Sequence, residues 1–409
     1  MKKIEKIIAI TLAVLMLAGL TALSVTADEN DTITVSLRIE GIETPLYYGK
    51  TIAIAAGSTV VDLITTVNGM EDTPDITIMD GAYGSYISAI DELAEFAYGD
   101  MSGWSYRING QSPTFGIDMC ELEDRDEVVC FYGDPFGIGM QYPITDLSKL
   151  LSEGIIRFTS IDATYDEEWN EVLTENPVAA ALVTFDKEIY TTDENGEITA
   201  ANTAGIAGFH TLQIERYDSD SGVPTVLRLA PDTEIYAYFA DTPDSAWYND
   251  AVKFCVKEGY FVGTDLSRNL FAPQDKMTTA QLYTVLARIA GADLGADANP
   301  WYAKALEWAI DNGFTSEEGF EPGASITRET FIDMFYRTAE LTGVYDMTLR
   351  SDIEGASDYD EIGEEYYEAI SWAVATGIIR GTSESGLTIE PSFEVNRATV
   401  CQMLYNYYN

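Results

Sequence analysis

Trp247-Tyr-Asn-Asp-Ala-Val-Lys-Phe-Cys-Val-Lys-Glu-Gly259, Trp301-Tyr-Ala-Lys-Ala-Leu-Glu-Trp-Ala-Ile-Asp-Asn-Gly313 and Glu365-Tyr-Tyr-Glu-Ala-Ile-Ser-Trp-Ala-Val-Ala-Thr-Gly377 are one segment written three times. Each carries Ala, an aromatic three residues later and Gly five after that. A second signature follows each copy: Met277-Thr-Thr-Ala-Gln281, Ile326-Thr-Arg-Glu-Thr330 and Val395-Asn-Arg-Ala-Thr399. Val252/Cys255/Val256, Leu306/Ala309/Ile310 and Ile370/Ala373/Val374 fall on single helical faces. Gly259, Gly313 and Gly377 stand where a helix C-terminus belongs. Thr278, Thr327 and Asn396 are suited to cap a second helix. Each unit therefore reads helix–loop–helix, roughly 50–65 residues long, and such units bury their apolar stripes only against one another.

Working outward, 409 residues exceed one ordinary core. Met1-Lys-Lys-Ile-Glu-Lys6, the apolar run Ile7–Val25 and the small residues before Asp28 read as a secretory signal peptide over 1–27. The alternative is an uncleaved membrane anchor. With cleavage, no membrane association is expected. The 23 basic and 68 acidic residues give a net charge of −45. That excludes nucleic acid as a partner, because phosphate binding needs Lys and Arg patches. Four cysteines make no disulfide scaffold. Cys120 and Cys130 flank Glu121–Val129, which reads strand–turn–strand; they either bond across it or stand as two small core residues. Cys255 and Cys401 lie on apolar helical stripes as buried thiols.

Residues 28–140 alternate strand and helix signals. Ile33–Glu40 and Thr51–Ala55 read as strands, and Val60, Leu63, Ile64 and Val67 share one face of a helix capped by Ser58. Asn109-Gly110 is a hairpin turn signal, and Asp126–Tyr132 a closing strand. Residues 141–152 read as a linker. Residues 153–236 form a second β-rich block, with Ala179–Thr192 strand-like, a tight turn at Asp193–Gly196 and a strand from Gly208; this spacing reads as a β-sandwich. His210, the one histidine, sits mid-strand as a structural residue.

Two resemblances rest on these residues. Gly57-Ser-Thr-Val-Val-Asp-Leu63, Ser85-Tyr-Ile87, Gly103-Trp-Ser-Tyr-Arg-Ile-Asn-Gly110 and Val129-Cys-Phe-Tyr132 resemble the transcobalamin-like C-terminal domain family. That resemblance implies a β-grasp-like α+β fold, with Tyr86, Trp104 and Tyr106 as residues that stack on a ligand or else as sheet-core aromatics. A corrinoid is the ligand it suggests, and no cofactor is otherwise implied. The central block looks like the immunoglobulin-like or carboxypeptidase-regulatory-like spacers of surface proteins.

The repeats resemble S-layer homology (SLH) repeats, through Phe239-Ala-Asp241, Trp247, Phe271-Ala-Pro273, Pro391-Ser-Phe393 and Ile326-Thr-Arg-Glu329. The resemblance implies an all-α pseudo-threefold bundle of three repeats, 237–292, 293–345 and 346–409. It also implies non-covalent anchoring to a secondary cell-wall polymer, a pyruvylated glycan, on Gram-positive cells. Asp241, Trp247, Arg328 and Arg397 are the expected binding residues, a guanidinium and free helix-start N–H groups together attracting a carboxylate. The pattern departs in the first repeat, where Thr279 replaces the arginine, so one or two working sites are expected. Asp358 is positioned to fill the role of Asp241 in the third unit.

No Walker, nucleophile-elbow, zinc-protease or dinucleotide fingerprint is present. The expectation is a multidomain surface protein without enzymatic activity: signal peptide 1–27, α+β domain 28–140, linker 141–152, β-sandwich 153–236 and three helical repeats. Asp218-Ser-Asp-Ser-Gly222 reads as a solvated turn, not a calcium loop.

Overall fold

The computed structural model describes residues 32–134, 138–165, 171–200, 203–295, 298–343, 346–380 and 386–409. The expected signal peptide lies outside them. Among the described residues no helix is long and apolar enough to cross a membrane. The chain is multidomain, with several β-sheets followed by helices. It divides into two compact units, one of residues 1–140 and 216–228, the other of 141–215 and 229–409.

In the first unit, β1 (Thr32–Glu40), β2 (Pro45–Ala55), helix α1 (Val60–Asn68), β3 (Ile76–Gly81), β4 (Gly84–Ile90), β5 (Leu93–Ala94), β6 (Gly103–Ile108) and β7 (Glu127–Gly133) follow in order. A four-stranded sheet runs β2-β1-β7-β6, and a smaller one β3-β4-β5. β7 lies parallel to β1 and antiparallel to β6. Val60, Leu63, Ile64 and Val67 of α1 are buried with Val35, Leu37 and Ile39, as the helical spacing predicts. The cap is Thr59, not Ser58: the Asp62 carboxylate accepts from its N–H at 2.8 Å and its hydroxyl at 3.0 Å.

The next amides of α1 explain a larger departure. Val60 N–H donates to the Cys120 carbonyl and Val61 N–H to that of Ile117, while Leu122 N–H donates to Ser58. Residues 117–122 thus cover a helix start whose amides have no partner within the helix. They are not the first arm of a hairpin with β7. Accordingly Cys120 and Cys130 are free thiols, not a bonded pair. Asn109-Gly110 does make its tight turn, both residues in the left-handed region at φ 49° and 73°. Ile108 and Gln111 bond across it, but β6 then pairs with β7 instead of a following strand.

The second unit begins with residues expected as a linker, yet β8 (Ile144–Asp146) pairs with β9 (Ile155–Tyr165), and a helical turn α2 (Leu150–Glu153) lies between them. β9 also carries β10 (Glu171–Pro177) and β13 (Glu197–Thr199). β11 (Leu182–Phe185) and β12 (Glu188–Thr191) form a hairpin where one continuous strand was expected, because Asp186 turns the chain at φ 53°. β14 (Gly208–Glu215) and β15 (Glu234–Ala237) complete the second sheet, β12-β11-β14-β15. Residues 216–228 leave this block and group with the first unit. There Arg228 donates to the Glu40 carboxylate and to the carbonyls of Gly41 and Ile42.

Among the described residues six α-helices follow: α3 (Asn249–Lys257), α4 (Thr279–Ile289), α5 (Ala303–Asp311), α6 (Arg328–Thr342), α7 (Tyr367–Ala375) and α8 (Arg397–Tyr408). They are the two helices of each of the three sequence repeats. Gly259, Gly313 and Gly377 terminate the first helices at φ 72°, 72° and 78°. Thr278, Thr327 and Asn396 cap the second ones, each side chain accepting from the third helical amide. Val252, Cys255, Ala309, Ile370 and Ala373 are buried as expected; Ile310 is instead exposed.

Candidate functional site

The starts of the three second helices meet one another. Met277 N–H donates to Val395 O, Val395 N–H to Ile326 O and Ile326 N–H to Met277 O, a closed ring through all three repeats. A second cycle surrounds it. The first two amides of α4 donate to Ala324 and Pro322 of repeat two, those of α6 to Phe393 and Pro391 of repeat three, and those of α8 to Asp275 and Pro273 of repeat one. The helix-start amides are therefore consumed by the neighbouring repeat, with the third taken by the capping side chain. They are not free to hold an anion, and any anion attraction at this place falls to side chains.

The two arginines at these helix starts differ. Arg397 is 5% exposed; its Nε donates to Phe271 O at 2.8 Å and Nη2 to Val262 O at 2.7 Å. Its guanidinium lies over the rings of Phe271 and Phe261, 4.4 and 4.9 Å from their centroids. Arg328, 8% exposed, uses Nη1 for the Ile389 carbonyl and the Glu390 carboxylate, the latter at 3.0 Å, and lies over Phe393. Among the described residues nothing takes its Nε or Nη2. Burial draws both guanidinium pKa values below the ordinary arginine value, and the Glu390 carboxylate opposes that shift at Arg328. Thr279, in the equivalent place of repeat one, bonds Ala324 O through its hydroxyl.

Asp241 is spent on backbone. Its two oxygens accept the amides of Phe271 and Ala272 at 2.8 and 2.7 Å, which holds the carbonyl that Arg397 grips. Asp358 does the same for Ile389 and Glu390, as its position in the third repeat predicts. Both loops turn through a left-handed residue, Ala272 at φ 57° and Glu390 at φ 53°.

Trp247 is 64% exposed. It lines a groove of about 360 Å³ with Arg328, Arg380, Phe393, Gln402 and Asn406, residues drawn from all three repeats. Trp247 and Arg328 are therefore brought together, whereas Asp241 and Arg397 are not among the groove's residues. Sequence reasoning missed Arg380. Setting the repeats side by side would have found it, since Gly377-Ile-Ile-Arg380 stands opposite Gly259-Tyr-Phe-Val262 and Gly313-Phe-Thr-Ser316.

In the first unit, Tyr86 and Trp104 line a cleft of about 200 Å³ together with Glu95, Phe96, Asp100 and Met101. Trp104 Nε1–H donates to Leu93 O at 2.9 Å, and its ring meets Tyr132 edge-on. Tyr106 is not in the cleft. Its hydroxyl donates to Phe115 O at 2.7 Å and lies 3.1 Å from Cys120 Sγ, and burial, then the Cys120 bond, raises its pKa. His210 is held between Asp186 and the Ile206 carbonyl, and Asp218 closes its own turn on Ser221, as structural roles predict.

Comparison with known proteins gives family matches in both units. The S-layer homology domain family matches residues 238–282. A domain of unknown function, DUF4430, matches 57–133. The surface-layer 125 kDa protein of Lysinibacillus sphaericus is 30% identical over 176 residues, 39% of this chain and 13% of that protein. S-layer protein sap of Bacillus anthracis is 24% identical over 183 residues, 41% of this chain and 20% of its own length. The chain thus spans a small part of these relatives. The solved structure of haptocorrin in complex with Cbi matches 28% of each chain at 18% identity, with a TM-score of 0.23. The chain matches the S-layer homology family on its first repeat and DUF4430 on its first unit, and is similar to S-layer proteins over about two fifths of its length. It is a cell-surface protein that carries an S-layer homology domain and a DUF4430 domain.

Proposed function

We propose that the three helix pairs form a pseudo-threefold bundle that anchors the protein to a secondary cell-wall polymer, and that the β domains hold a binding module away from the wall. In this reading the first unit is β-grasp-like, the middle block is a sandwich serving as spacer, and the polymer is a carboxylate-bearing glycan such as a pyruvylated one. The observation that carries it is the groove in which exposed Trp247 stands beside Arg328 and Arg380. An indole face stacks on a sugar ring, while two guanidinium groups match a carboxylate in charge and geometry. Arg328 keeps two donor nitrogens for that purpose. Arg397 and Asp241 act one step back, fixing the loops that shape the site. S-layer proteins among the relatives support a structural surface role over an enzymatic one.

The test is co-sedimentation of the full chain with Gram-positive walls before and after chemical stripping of the secondary polymer. Binding that disappears on stripping supports the reading; binding that survives stripping, or is absent from intact walls, refutes it. For the displayed module, a cleft of about 200 Å³ lies under the roughly 300–1,000 Å³ usual for drug-sized ligands, which weighs against an enclosed corrinoid.

A further inference from the structure

From the structure we infer that the Tyr86/Trp104 cleft binds a single organic cation, the alkylammonium or guanidinium group of a basic side chain. The inference rests on the reading of the first unit as a displayed binding module, and it names the chemistry of what that module takes. Charge is the first argument. From Thr51 to Tyr106 the sequence carries nine Asp or Glu and no Lys or Arg. Two of those carboxylates, Glu95 and Asp100, line the cleft, and among the described residues neither has an ion-pair partner. Glu95 is bonded only to the Tyr86 hydroxyl at 3.3 Å among side chains.

The second argument is the wall material. Tyr86, Phe96 and Trp104 present aromatic rings around a space suited to one side chain, the arrangement that attracts cations through ring quadrupoles. The third is how Phe96 is held. It is 60% exposed and its backbone is left-handed at φ 65°, a conformation unfavourable for a bulky residue. The loop fixes it there: Phe96 N–H donates to Ser102 O, Ser102 N–H to Gly99 O, and the Ser102 hydroxyl lies 3.1 Å from that of Tyr132. An exposed aromatic ring held in a strained backbone at the mouth of an acidic cleft gains nothing from the core, and cation capture gives it a use.

The experiment is isothermal titration of the full chain with Nα-acetyl-lysine methylamide, and separately with the same compound acetylated at Nε. The expected result is one-to-one binding of the cation and none of the neutral compound. Glu95→Gln with Asp100→Asn should weaken binding about tenfold or more, and Phe96→Ala about threefold. Glu71→Gln, on the exposed surface of the same unit, should leave it unchanged. Equal binding of the neutral compound, or equal losses in all three variants, would overturn the assignment. If the cation fails while a corrinoid or an anionic peptide binds in a Trp104-dependent way, the cation chemistry is wrong and the module reading stands. If none of the three binds, both fall, while wall co-sedimentation of the same preparation is decided independently.

Discussion

The Val395 amide donates to the Ile326 carbonyl at 3.1 Å, and that bond joins two repeats whose helix starts are 69 residues apart in sequence (397 − 328). With its two counterparts it closes a ring, so every repeat depends on both others. Deleting residues 346–409 should therefore abolish more than one repeat's share of structure. Helix-start amides of α6 and buried Met277, Phe331 and Phe335 would lose their partners. Far-ultraviolet circular dichroism of the truncated chain should show the four remaining helices largely melted. Retention of their full signal would mean that each pair folds by itself.

Arg328 and Arg397 should separate by phenotype. Arg328→Ala leaves the loop clamp of repeat one intact but strips the Ile389 carbonyl of its donor, so it should reduce wall retention at least about tenfold while costing about 1–2 kcal/mol of stability. Arg397→Ala strips two carbonyls of their donor and empties a space between two phenylalanines. It should lower stability by about 2–4 kcal/mol, read from urea unfolding. The Arg328/Arg397 double variant should lose wall retention far more than Arg288→Ala. Equal retention in all of them would remove the anchoring role.

Asp241→Ala leaves the Phe271 and Ala272 amides without their carboxylate and should cost about 2 kcal/mol. Ala272→Gly should act oppositely, stabilising the chain by about 0.5–1 kcal/mol, because the position is already left-handed. Chemical denaturation of the two variants side by side checks both signs.

The thiols offer a count and a pH dependence. All four cysteines should label after unfolding without reductant, and only partly exposed Cys120 should label readily in the native protein. Burial pushes the Cys130 thiol up to about 12, against roughly 8.5 when unfolded. Below about pH 8 both states keep the proton and stability is full. Above it only the unfolded chain releases the proton, so stability declines as pH rises towards 12. Cys130→Val should remove that part of the alkaline decline, measured as the change in unfolding midpoint between pH 8 and 11. An unchanged slope in the variant would show that Cys130 does not contribute.

Much of this was legible in the chain. The apolar spacing of Val60, Leu63, Ile64 and Val67 and the caps Thr278, Thr327 and Asn396 depend on neighbours within one or two turns, and local spacing records such neighbours directly. The failures share the opposite origin. Glu121–Val129 looked like strand–turn–strand because the pairing of residues 117–122 with the start of α1 spans some sixty positions (120 − 60). Residues 141–152 looked like a linker because β8 is three residues long and takes its identity from β9. The burial of Arg397 between Phe261 and Phe271 was not legible because it is a property of the closed assembly.

By itself the sequence determined that three copies of a helix pair follow β-rich domains, that the surface is strongly acidic, and which residues begin and end each helix. These are matters of composition and short-range hydrogen bonding. Tertiary structure alone decided which helix-start amides were already taken, that Asp241 and Asp358 hold loops, and that Trp247, Arg328 and Arg380 share one groove. The physical reason is that an unpaired amide or a charged group near a core must find its partner wherever the fold brings one. Here those partners came from the next repeat in the ring.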